Sequence, residues 1–313
     1  MPTYPAMIFR YASSRPTGFT RACRCLYLLW LASLTTLTCS LTTAWAQPPT
    51  WDHLTDGLRV TLWSTPCPDV PPLLMIGIDP DRYRFAVHYY RNERLAQPPD
   101  IHEWQARMGH DLVFNAGLFR ENFAYLGLLF GNGLSLGGKQ HGTWFGLFVA
   151  EPTEAGAPPV RILDLSVESF DVRQVPYREA AQSLMLLDEN GTIRVRRSGK
   201  QAHQTILAEE TGGQVLVVKT TQPSTLFDIG QCLHEAFPAI RRAMAMDGGS
   251  SSDVALAPVL RRKATHANLG AAWMSFLADT SAGHIGLPAV IGISPRRPSA
   301  PSREIPPRKS APR

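Results

Sequence analysis

Ala243-Met244-Ala245-Met246-Asp247-Gly248-Gly249-Ser250-Ser251-Ser252-Asp253 is the stretch around which this sequence is organised. Its apolar start is long enough for a buried strand, and the strand would end abruptly at the carboxylate of Asp247. Glycine permits positive φ and close backbone approach, so the two glycines can turn amide N–H groups toward a ligand. The serines add hydroxyl donors, and a carboxylate can accept a proton, orient a sugar hydroxyl or hold a metal. The stretch predicts either a ligand-binding loop or an ordinary Asp-Gly turn after a strand.

Residues 1–46 have the composition of a secretory signal peptide. Four arginines come first, an apolar stretch over residues 26–41 follows, and Ala44-Trp45-Ala46 offers a small-residue cleavage site. An uncleaved transmembrane anchor is disfavoured because the apolar stretch is short and is diluted by serine and threonine. We therefore expect a periplasmic or secreted protein that is cleaved near Ala46 and keeps no stable membrane anchor.

Positive charge is concentrated at the two ends of the chain. The formal net charge is +5, but four arginines lie in the leader, and residues 295–313 hold six basic residues and one acid. The segment between the ends therefore has an excess of acidic groups, and the basic isoelectric point is no argument for nucleic-acid binding. Residues 295–313 are also rich in proline, which predicts a disordered basic tail.

Two cysteines, Cys67 and Cys232, remain after the expected cleavage. An exported protein meets an oxidising environment, in which these two residues can form one disulfide. Cys232 also lies on the apolar face of a predicted helix, where a buried free thiol is equally at home. The sequence leaves both possibilities open.

Short apolar or alternating segments predict a protein built mostly of strands. Tight turns join many of them, including three expected hairpins over residues 126–134, 183–196 and 204–219. Further strands are expected over residues 57–64, 73–79, 82–90, 111–114, 143–149, 243–246 and 285–293. Helices are expected over residues 100–109 and 225–237, which begin with capping-box patterns. We predict an α+β fold over residues 47–294: a single domain of curved, mostly antiparallel sheets with a few flanking helices.

Five short blocks occur in an order that carries a resemblance: Asn115-Ala116-Gly117-Leu118-Phe119, Gly127-Leu128, Gly146-Leu147-Phe148, Ala181-Gln182-Ser183 and Met246-Asp247-Gly248-Gly249-Ser250-Ser251. Together they resemble the phosphodiester glycosidase domain family. This family includes the lysosomal enzyme that uncovers mannose 6-phosphate by removing N-acetylglucosamine. The chain is most similar to the short bacterial branch, long carried as a domain of unknown function. The resemblance spans about residues 57–294.

The resemblance implies an exported hydrolase that cleaves a sugar-1-phosphodiester bond in an envelope or extracellular glycan. It implies that Asn115 and the loop from Asp247 to Ser251 line the pocket. We expect Asp247 and Asn115 as catalytic residues and Gly248, Gly249, Ser250, Ser251, Phe119 and His203 as substrate-binding residues. The residue types agree with this chemistry, because a phosphodiester needs N–H and hydroxyl donors and glycosidic cleavage needs carboxylates. Four acids are candidates for a second, partner carboxylate: Glu121, Glu151, Glu168 and Asp253.

The chain departs from the family pattern at two places. Leu184-Met185 stands where the family usually has Gly-Pro, and the segment His203-Gln204-Thr205 lacks the usual arginine or asparagine. A phosphate contact would then have to come from another side chain, and the candidates are His203, Arg196, Arg197 and Lys200. The alternative function is therefore a non-catalytic periplasmic glycan-binding domain that retains the pocket.

Motifs for other chemistries do not appear in the sequence. It has no P-loop, dinucleotide fingerprint, His-Glu-x-x-His, zinc spacing or Gly-x-Ser-x-Gly elbow. We predict no cofactor and no dedicated metal site, a glycan or sugar-phosphate as the partner, and no nucleic acid. A metal-dependent phosphoesterase that uses Asp247 and Asp253 is a third, weaker alternative, for which a divalent cation would be needed.

Overall fold

Residues 49–264 and 283–296 are described in the computed structural model of this protein. The predicted signal peptide, residues 1–46, and all but two residues of the predicted tail, 295–313, lie outside the described residues. Within them the chain forms three helices and fifteen strands, and all strand pairings are antiparallel. The helices are α1 (Ile101–Met108), α2 (Leu226–Ala236) and α3 (Pro258–Ala264). The strands are β1 (Asp52–Thr55), β2 (Leu58–Trp63), β3 (Leu73–Ile78), β4 (Tyr83–Tyr89), β5 (Leu112–Asn115), β6 (Leu129–Gly131), β7 (Leu134–Ser135), β8 (Gly146–Pro152), β9 (Val160–Asp164), β10 (Tyr177–Leu187), β11 (Thr205–Glu210), β12 (Val215–Thr220), β13 (Ile240–Ala245), β14 (Val254–Leu256) and β15 (Ala289–Pro295).

The larger sheet has eleven strands and contains β13, the strand that leads to Asp247. Its order is β1-β2-β3-β12-β11-β13-β10-β6-β7, with β8 paired to β10 and β9 paired to β8. β13 is therefore central, and Ala245 near its end is opposite Ile206 on one side and Leu184 on the other. Two neighbours fix the end of this strand, and with it the start of the loop that carries Asp247.

The smaller sheet has the order β14-β5-β15-β4 and packs face to face with the larger one. Its apolar residues and those of the larger sheet form one continuous core. Phe85 of β4 and Phe148 of β8 meet in that core, with ring centroids 5.6 Å apart. Trp104 of α1 belongs to the same core and donates a hydrogen bond of 2.8 Å to the carbonyl of Leu287, which anchors the helix to the segment before β15.

A second core lies under α2, on the other face of the larger sheet. Ile229 and Leu233 of the helix pack there with apolar residues of β11 and β12. A disulfide joins Cys232 of α2 to Cys67, with 5.8 Å between the Cα atoms. The structure thus decides between the two states of the cysteines that the sequence leaves open.

Two carboxylates of the larger sheet bind the outer edge of β4 in the smaller sheet. Glu179 accepts hydrogen bonds from the N–H groups of Val87 (2.7 Å) and Asn132 (2.9 Å). Glu151 accepts one from the N–H of Phe85 (3.1 Å). Buried backbone donors need partners, so these side chains satisfy an edge that no further strand covers in the described part of the chain.

Most of the predicted elements are confirmed, including mostly antiparallel sheets and flanking helices. Helix α1 begins at a capping box between Asp100 and Glu103 and ends at Gly109 with φ 66°. The hairpin predicted over residues 204–219 is formed by β11 and β12. The predicted curvature of the sheets and the predicted limits of the domain at residues 47 and 294 stay predictions.

The sequence predicts a hairpin over residues 183–196, and the prediction of its second strand is wrong. Only an isolated bridge between Leu187 and Ile193 forms there. The N–H of Arg194 still bonds the carbonyl of Leu186 at 2.9 Å, and its guanidinium pairs with the carboxylates of Asp164 (2.9 Å) and Asp188 (3.3 Å). Strand β9 and the first six residues of β10 are not predicted from the sequence, because charged residues interrupt their apolar pattern.

Candidate functional site

Asp247 lies where the ends of the two sheets meet. It follows β13 of the larger sheet, and the N–H of Met246 still bonds the carbonyl of Thr205 at 2.9 Å. The N–H of Asp247 instead bonds the carbonyl of Ala116 at 3.1 Å, just beyond the end of β5 in the smaller sheet. The sequence places a polar loop after each of these strands, and the structure brings the two loops together.

The two glycines after Asp247 are needed for different reasons. Gly249 has φ 71°, a left-handed conformation that favours glycine, and opens a 3₁₀ turn over Gly249–Ser251. A Cβ atom on Gly248 would lie 2.7 Å from the side-chain oxygen of Gln204 and 3.1 Å from the carbonyl of His203. One glycine thus permits the turn, and the other permits the loop to lie against the segment before β11.

The carboxyl group of Asp247 is half-buried. Burial raises its pKa, while hydrogen bonds from the Ser251 hydroxyl and the Gly248 N–H and the positive charge of Lys200 oppose part of that rise. Desolvation penalises the charged form of a carboxyl, so Asp247 holds its proton to a higher pH than a free aspartate. A carboxyl group whose pKa is raised by burial is a candidate for proton transfer.

Asn115 fastens both ends of the loop to β5. Its side-chain nitrogen donates to the carbonyl of Asp247 (2.8 Å) and its side-chain oxygen accepts from the N–H of Asp253 (3.0 Å). The residue is only 1% exposed. Both polar ends of this buried amide are used within the protein, so the arrangement gives Asn115 a positioning role. The catalytic role that we expect for it stays a prediction.

Gln182 joins three of the sequence blocks that carry the resemblance. Its side-chain oxygen accepts from the N–H groups of Leu128 (3.0 Å) and His141 (2.9 Å). Its side-chain nitrogen donates to the carbonyls of His141 (3.0 Å) and Trp144 (2.6 Å). Its own carbonyl accepts from the hydroxyl of Tyr125 at 2.8 Å, and that hydroxyl accepts from the N–H of Gly117 at 3.0 Å. The fully buried glutamine therefore holds the segments that flank the site in one arrangement.

The backbone amides of the two glycines are bonded within the protein. The N–H of Gly249 donates to the carbonyl of His203 at 2.8 Å, and the N–H of Gly248 donates to the carboxyl of Asp247. The N–H of Gly249 is thus directed into the protein in this structure, and the substrate-binding role of the two glycines stays a prediction. Ser250 is exposed, and its hydroxyl is the donor of this loop that faces solvent.

Phe119 and His203 lie on segments that border the loop. Phe119 is half-buried, pairs with Tyr125 in an isolated bridge and has its ring centroid 6.2 Å from that of Phe123. The Nδ1 atom of His203 is enclosed and has no hydrogen-bond partner among the described residues. A buried polar atom without a partner is unusual, and within the predicted set His203 has such an atom among the described residues.

Three of the four candidate partner carboxylates are engaged elsewhere. Glu151 pairs with Arg296 at 2.7 Å and Glu168 pairs with Arg242 at 2.6 Å. Arg242 precedes Asp247 by five residues of extended chain, which corresponds to roughly 16 Å. Asp253 contacts the Nδ1 atom of His284 at 2.5 Å. Glu121 is exposed and makes no side-chain contact of these kinds among the described residues.

A buried lysine supports the far end of the loop and is not predicted from the sequence. Lys219 of β12 is 5% exposed, contacts the carbonyl of Ser252 and lies 3.1 Å from the hydroxyl of the same serine. Burial lowers the pKa of Lys219 to about 8, and the charge of Asp253 opposes part of that fall. The available signal is a single lysine within Val215–Thr220, a strand whose other residues are apolar apart from its final threonine.

Sequence comparisons give no family: no known family profile and no curated protein matches this chain. Solved structures do match. The catalytic domain of zebrafish N-acetylglucosamine-1-phosphodiester alpha-N-acetylglucosaminidase, auto-inhibited by its pro-peptide, has a TM-score of 0.50 and 12% identity over 72% of this chain and 77% of that chain.

Two bacterial structures are also similar. A hypothetical protein from Synechocystis has a TM-score of 0.49 and 14% identity over 80% of this chain and 64% of that chain. A protein from Burkholderia pseudomallei described as exported has a TM-score of 0.45 and 10% identity over 73% of this chain and 76% of that chain. At these identities the likeness to the zebrafish domain shows the fold alone. The chain thus shares its fold with that domain, and family membership and activity do not follow from the fold.

Proposed function

We propose that this chain is an exported hydrolase that cleaves the glycosidic bond of a sugar-1-phosphodiester in an envelope or extracellular glycan. The observation that carries the proposal is the half-buried carboxyl of Asp247, whose pKa is raised by burial at the junction of the two sheets. A carboxyl group in this state can serve as acid or base at the sugar. The fold, which the zebrafish phosphodiester glycosidase shares, supports the same reaction.

Lys200 is the cation that we assign to the phosphodiester. Its charge acts on Asp247, and its ammonium group has no hydrogen bond or ion pair among the described residues. Arg197, another candidate, is held by Asp228 at 3.7 Å and lies over the ring of Phe227. Lys200 and the exposed hydroxyl of Ser250 would thus replace the arginine that the family usually supplies.

A non-catalytic glycan-binding domain is the second candidate. It is favoured by the absence of an evident second carboxylate beside Asp247: Glu151, Glu168 and Asp253 are all committed to cationic partners or to a histidine within the described residues. A pocket with one carboxyl can still hold sugar hydroxyls without cleaving the glycosidic bond. The hydrolase and the glycan-binding domain would therefore both bind the glycan, and only the hydrolase would cleave it.

Export is part of the proposal, and one observation supports it. The disulfide between Cys67 and Cys232 suits an oxidising compartment. Among the described residues no helix is long and apolar enough to cross a membrane. Amino-terminal sequencing of the mature protein should begin at or near Gln47, and recovery of an intact Met1 would contradict cleavage.

A panel of sugar-1-phosphodiesters with varied sugars tests the activity. Hydrolysis of the glycosidic bond releases a free reducing sugar and leaves the phosphate on the other product. A phosphoesterase can give the same products by breaking a P–O bond, so the reaction is run in ¹⁸O-labelled water: glycosidic cleavage places the label on C1 of the sugar, and phosphoester cleavage places it on the phosphate. A chelator would inhibit a phosphoesterase in which a metal took part. Binding without any product would support the glycan-binding domain, and neither binding nor product across the panel would reject both candidates.

A further inference from the structure

A cavity of about 680 Å³ lies beside Tyr125. Its lining comprises Tyr89, Arg91, Asn92, Arg120, residues 124–127 and residues 136–142. These residues include three cations, Arg91, Arg120 and Lys139, together with His141, and they include no aspartate or glutamate. We refer to it as the basic cavity. A concave surface with cations of one sign focuses a positive potential and attracts anions.

Two of these cations have no internal partner. The side chains of Arg120 and Lys139 make no hydrogen bond or ion pair within residues 49–264 and 283–296, and both are exposed to solvent. Ordinary surface cations are often solvated singly, but here two converge with Arg91 on one cavity that holds no carboxylate. Like charges repel when they are brought together, and a bound anion would offset that repulsion.

The wall that carries Arg120 is held in a strained conformation. It is a hairpin of residues 119–125 in which Phe123 has φ 62°, a left-handed conformation that non-glycine residues seldom adopt. The hydroxyl of Tyr89 donates to the carbonyl of Phe123 (3.2 Å), and Arg91 donates to the carbonyl of Asn122 (3.2 Å). Strained backbone persists where its surroundings hold it, so the shape of the basic cavity is built into the fold.

The opposite wall is fixed by Gln182 and offers a flat surface. His141 is bonded to Gln182 through both its N–H and its carbonyl. Its ring stacks on Trp144, with centroids 3.8 Å apart and planes inclined by 16°. A rigid aromatic pair next to cations gives apolar contact for a sugar ring together with contacts for an anionic substituent.

Tyr125 connects the basic cavity to the loop that carries Asp247. The carbonyl of Ala116 accepts from the N–H of Asp247, and the N–H of the next residue, Gly117, donates to the hydroxyl of Tyr125. Tyr125 in turn lines the basic cavity. Burial raises the pKa of Tyr125, and the two places are near enough for the charge of Asp247 to raise that pKa further. A ligand would need more than one sugar residue to reach both places.

We propose that the basic cavity binds an anionic group, a phosphate, sulfate or carboxylate, on a sugar residue beyond the bond cleaved at Asp247. The placement relative to that bond rests on the proposed function, whereas the binding of an anionic glycan does not. The proposed substrates are therefore glycans that carry negative charge in addition to the scissile phosphodiester.

Calorimetric binding tests the proposal without any need for turnover. The probe is a sulfated dextran oligosaccharide, and unsulfated dextran of the same length is its uncharged counterpart. The double variant Arg120→Gln/Lys139→Gln should weaken binding of the sulfated probe by about tenfold or more and leave the unsulfated one unchanged. Arg84→Gln/Arg178→Gln removes the same charge from a different cavity and should change binding less than about twofold.

Two further measurements serve as controls. Arg120→Lys/Lys139→Arg keeps both charges and should restore most of the binding, which separates lost charge from a damaged fold. Oligothymidylate of equal charge should bind at least about tenfold more weakly than the sulfated probe. Equal weakening by both Gln double variants, or equal binding of the oligonucleotide, would overturn the proposal.

The outcome is separable from that of the proposed function. If a sugar-1-phosphodiester is hydrolysed, Arg120→Gln/Lys139→Gln should raise KM about tenfold for a substrate whose leaving group carries an anionic substituent. The same variant should change kcat less than about twofold. If the substrate is hydrolysed and the double variant has the KM and the probe binding of the wild type, the proposal for the basic cavity is rejected and the proposed hydrolase is not. Probe binding that depends on these two residues, without sugar release from any substrate, rejects the hydrolase alone.

Discussion

The side-chain nitrogen of Asn115 donates a hydrogen bond of 2.8 Å to the backbone carbonyl of Asp247, the candidate catalytic residue. The oxygen of the same amide accepts from the N–H of Asp253, six residues further along. One buried side chain therefore sets the span of the loop between the two acids.

Asn115→Ala should destabilise the protein by about 3 kcal/mol, because two buried backbone groups lose their partners at once. Thermal or denaturant unfolding measures this loss. Asn190→Ala, at an exposed asparagine in a turn, is the control and should change the free energy of unfolding by less than about 0.5 kcal/mol. A change equally small for Asn115→Ala would show that the loop does not depend on this amide.

Asp247→Asn should lower the rate of sugar release by about 10²–10⁴, because the amide cannot exchange a proton with the substrate. Stability at pH 8 should not fall, since burial raises the pKa of Asp247 and the neutral amide avoids burying a charge. Steady-state kinetics and melting temperature are measured together. Asp81→Asn, at an exposed aspartate, is the matched control, and full activity of a stable Asp247→Asn would make Asp247 a turn residue.

Cys67→Ser or Cys232→Ser should destabilise the protein by about 2–5 kcal/mol, because the disulfide closes a long loop, across 165 positions, and restricts the unfolded chain. Urea unfolding with and without a reducing agent measures the effect. The reduced wild-type protein and the double serine variant should have similar midpoints. A wild-type midpoint that does not move on complete reduction would contradict the prediction.

The free energy of unfolding should fall as pH rises from about 4.5 to about 7, because in this window the carboxyl group of Glu179 keeps its proton in the folded protein and loses it in the unfolded chain. Burial raises the pKa of Glu179 to about 7, so the folded state binds the proton more tightly than the unfolded state does across this window. The loss amounts to about 3 kcal/mol and is complete above the folded-state pKa. Unfolding free energies at several pH values measure it.

Glu179→Gln isolates this contribution. The amide oxygen can still accept from the N–H of Val87, but the group no longer titrates, so the variant should show a flatter pH dependence over this window. Glu154→Gln, at an exposed glutamate, should keep the wild-type pH profile. Identical profiles for Glu179→Gln and the wild type would assign the pH dependence to other groups.

Elements with local signals are predictable from this sequence. The carboxylate of Asp100 accepts from the N–H of Glu103, and Gly109 takes the left-handed conformation at the other end of the helix, as their positions in the sequence indicate. The strand before Asp247 is also apparent, because its apolar run is bounded by a carboxylate and glycines. Residue type and spacing suffice for features of this kind.

Contacts between distant residues are not predictable in the same way. An asparagine at a strand end usually forms a turn, and only the pairing of β5 with β14 and β15 shows that Asn115 bonds two points of a distant loop. The pairing of Asp253 with His284 and the burial of Lys219 also depend on tertiary structure. His88 falls on the polar face of β4, yet its Nε2 atom lies 2.7 Å from that of His110.

The glutamates that bind the outer edge of β4 have a consequence for how copies of this protein meet. An open strand edge is a template on which another chain can add a strand, which leads to domain swapping or aggregation. Glu151 and Glu179 already occupy the outward N–H groups of Phe85 and Val87, so an incoming strand would have to displace two carboxylates. The edge is closed to strand addition by side chains of the neighbouring sheet.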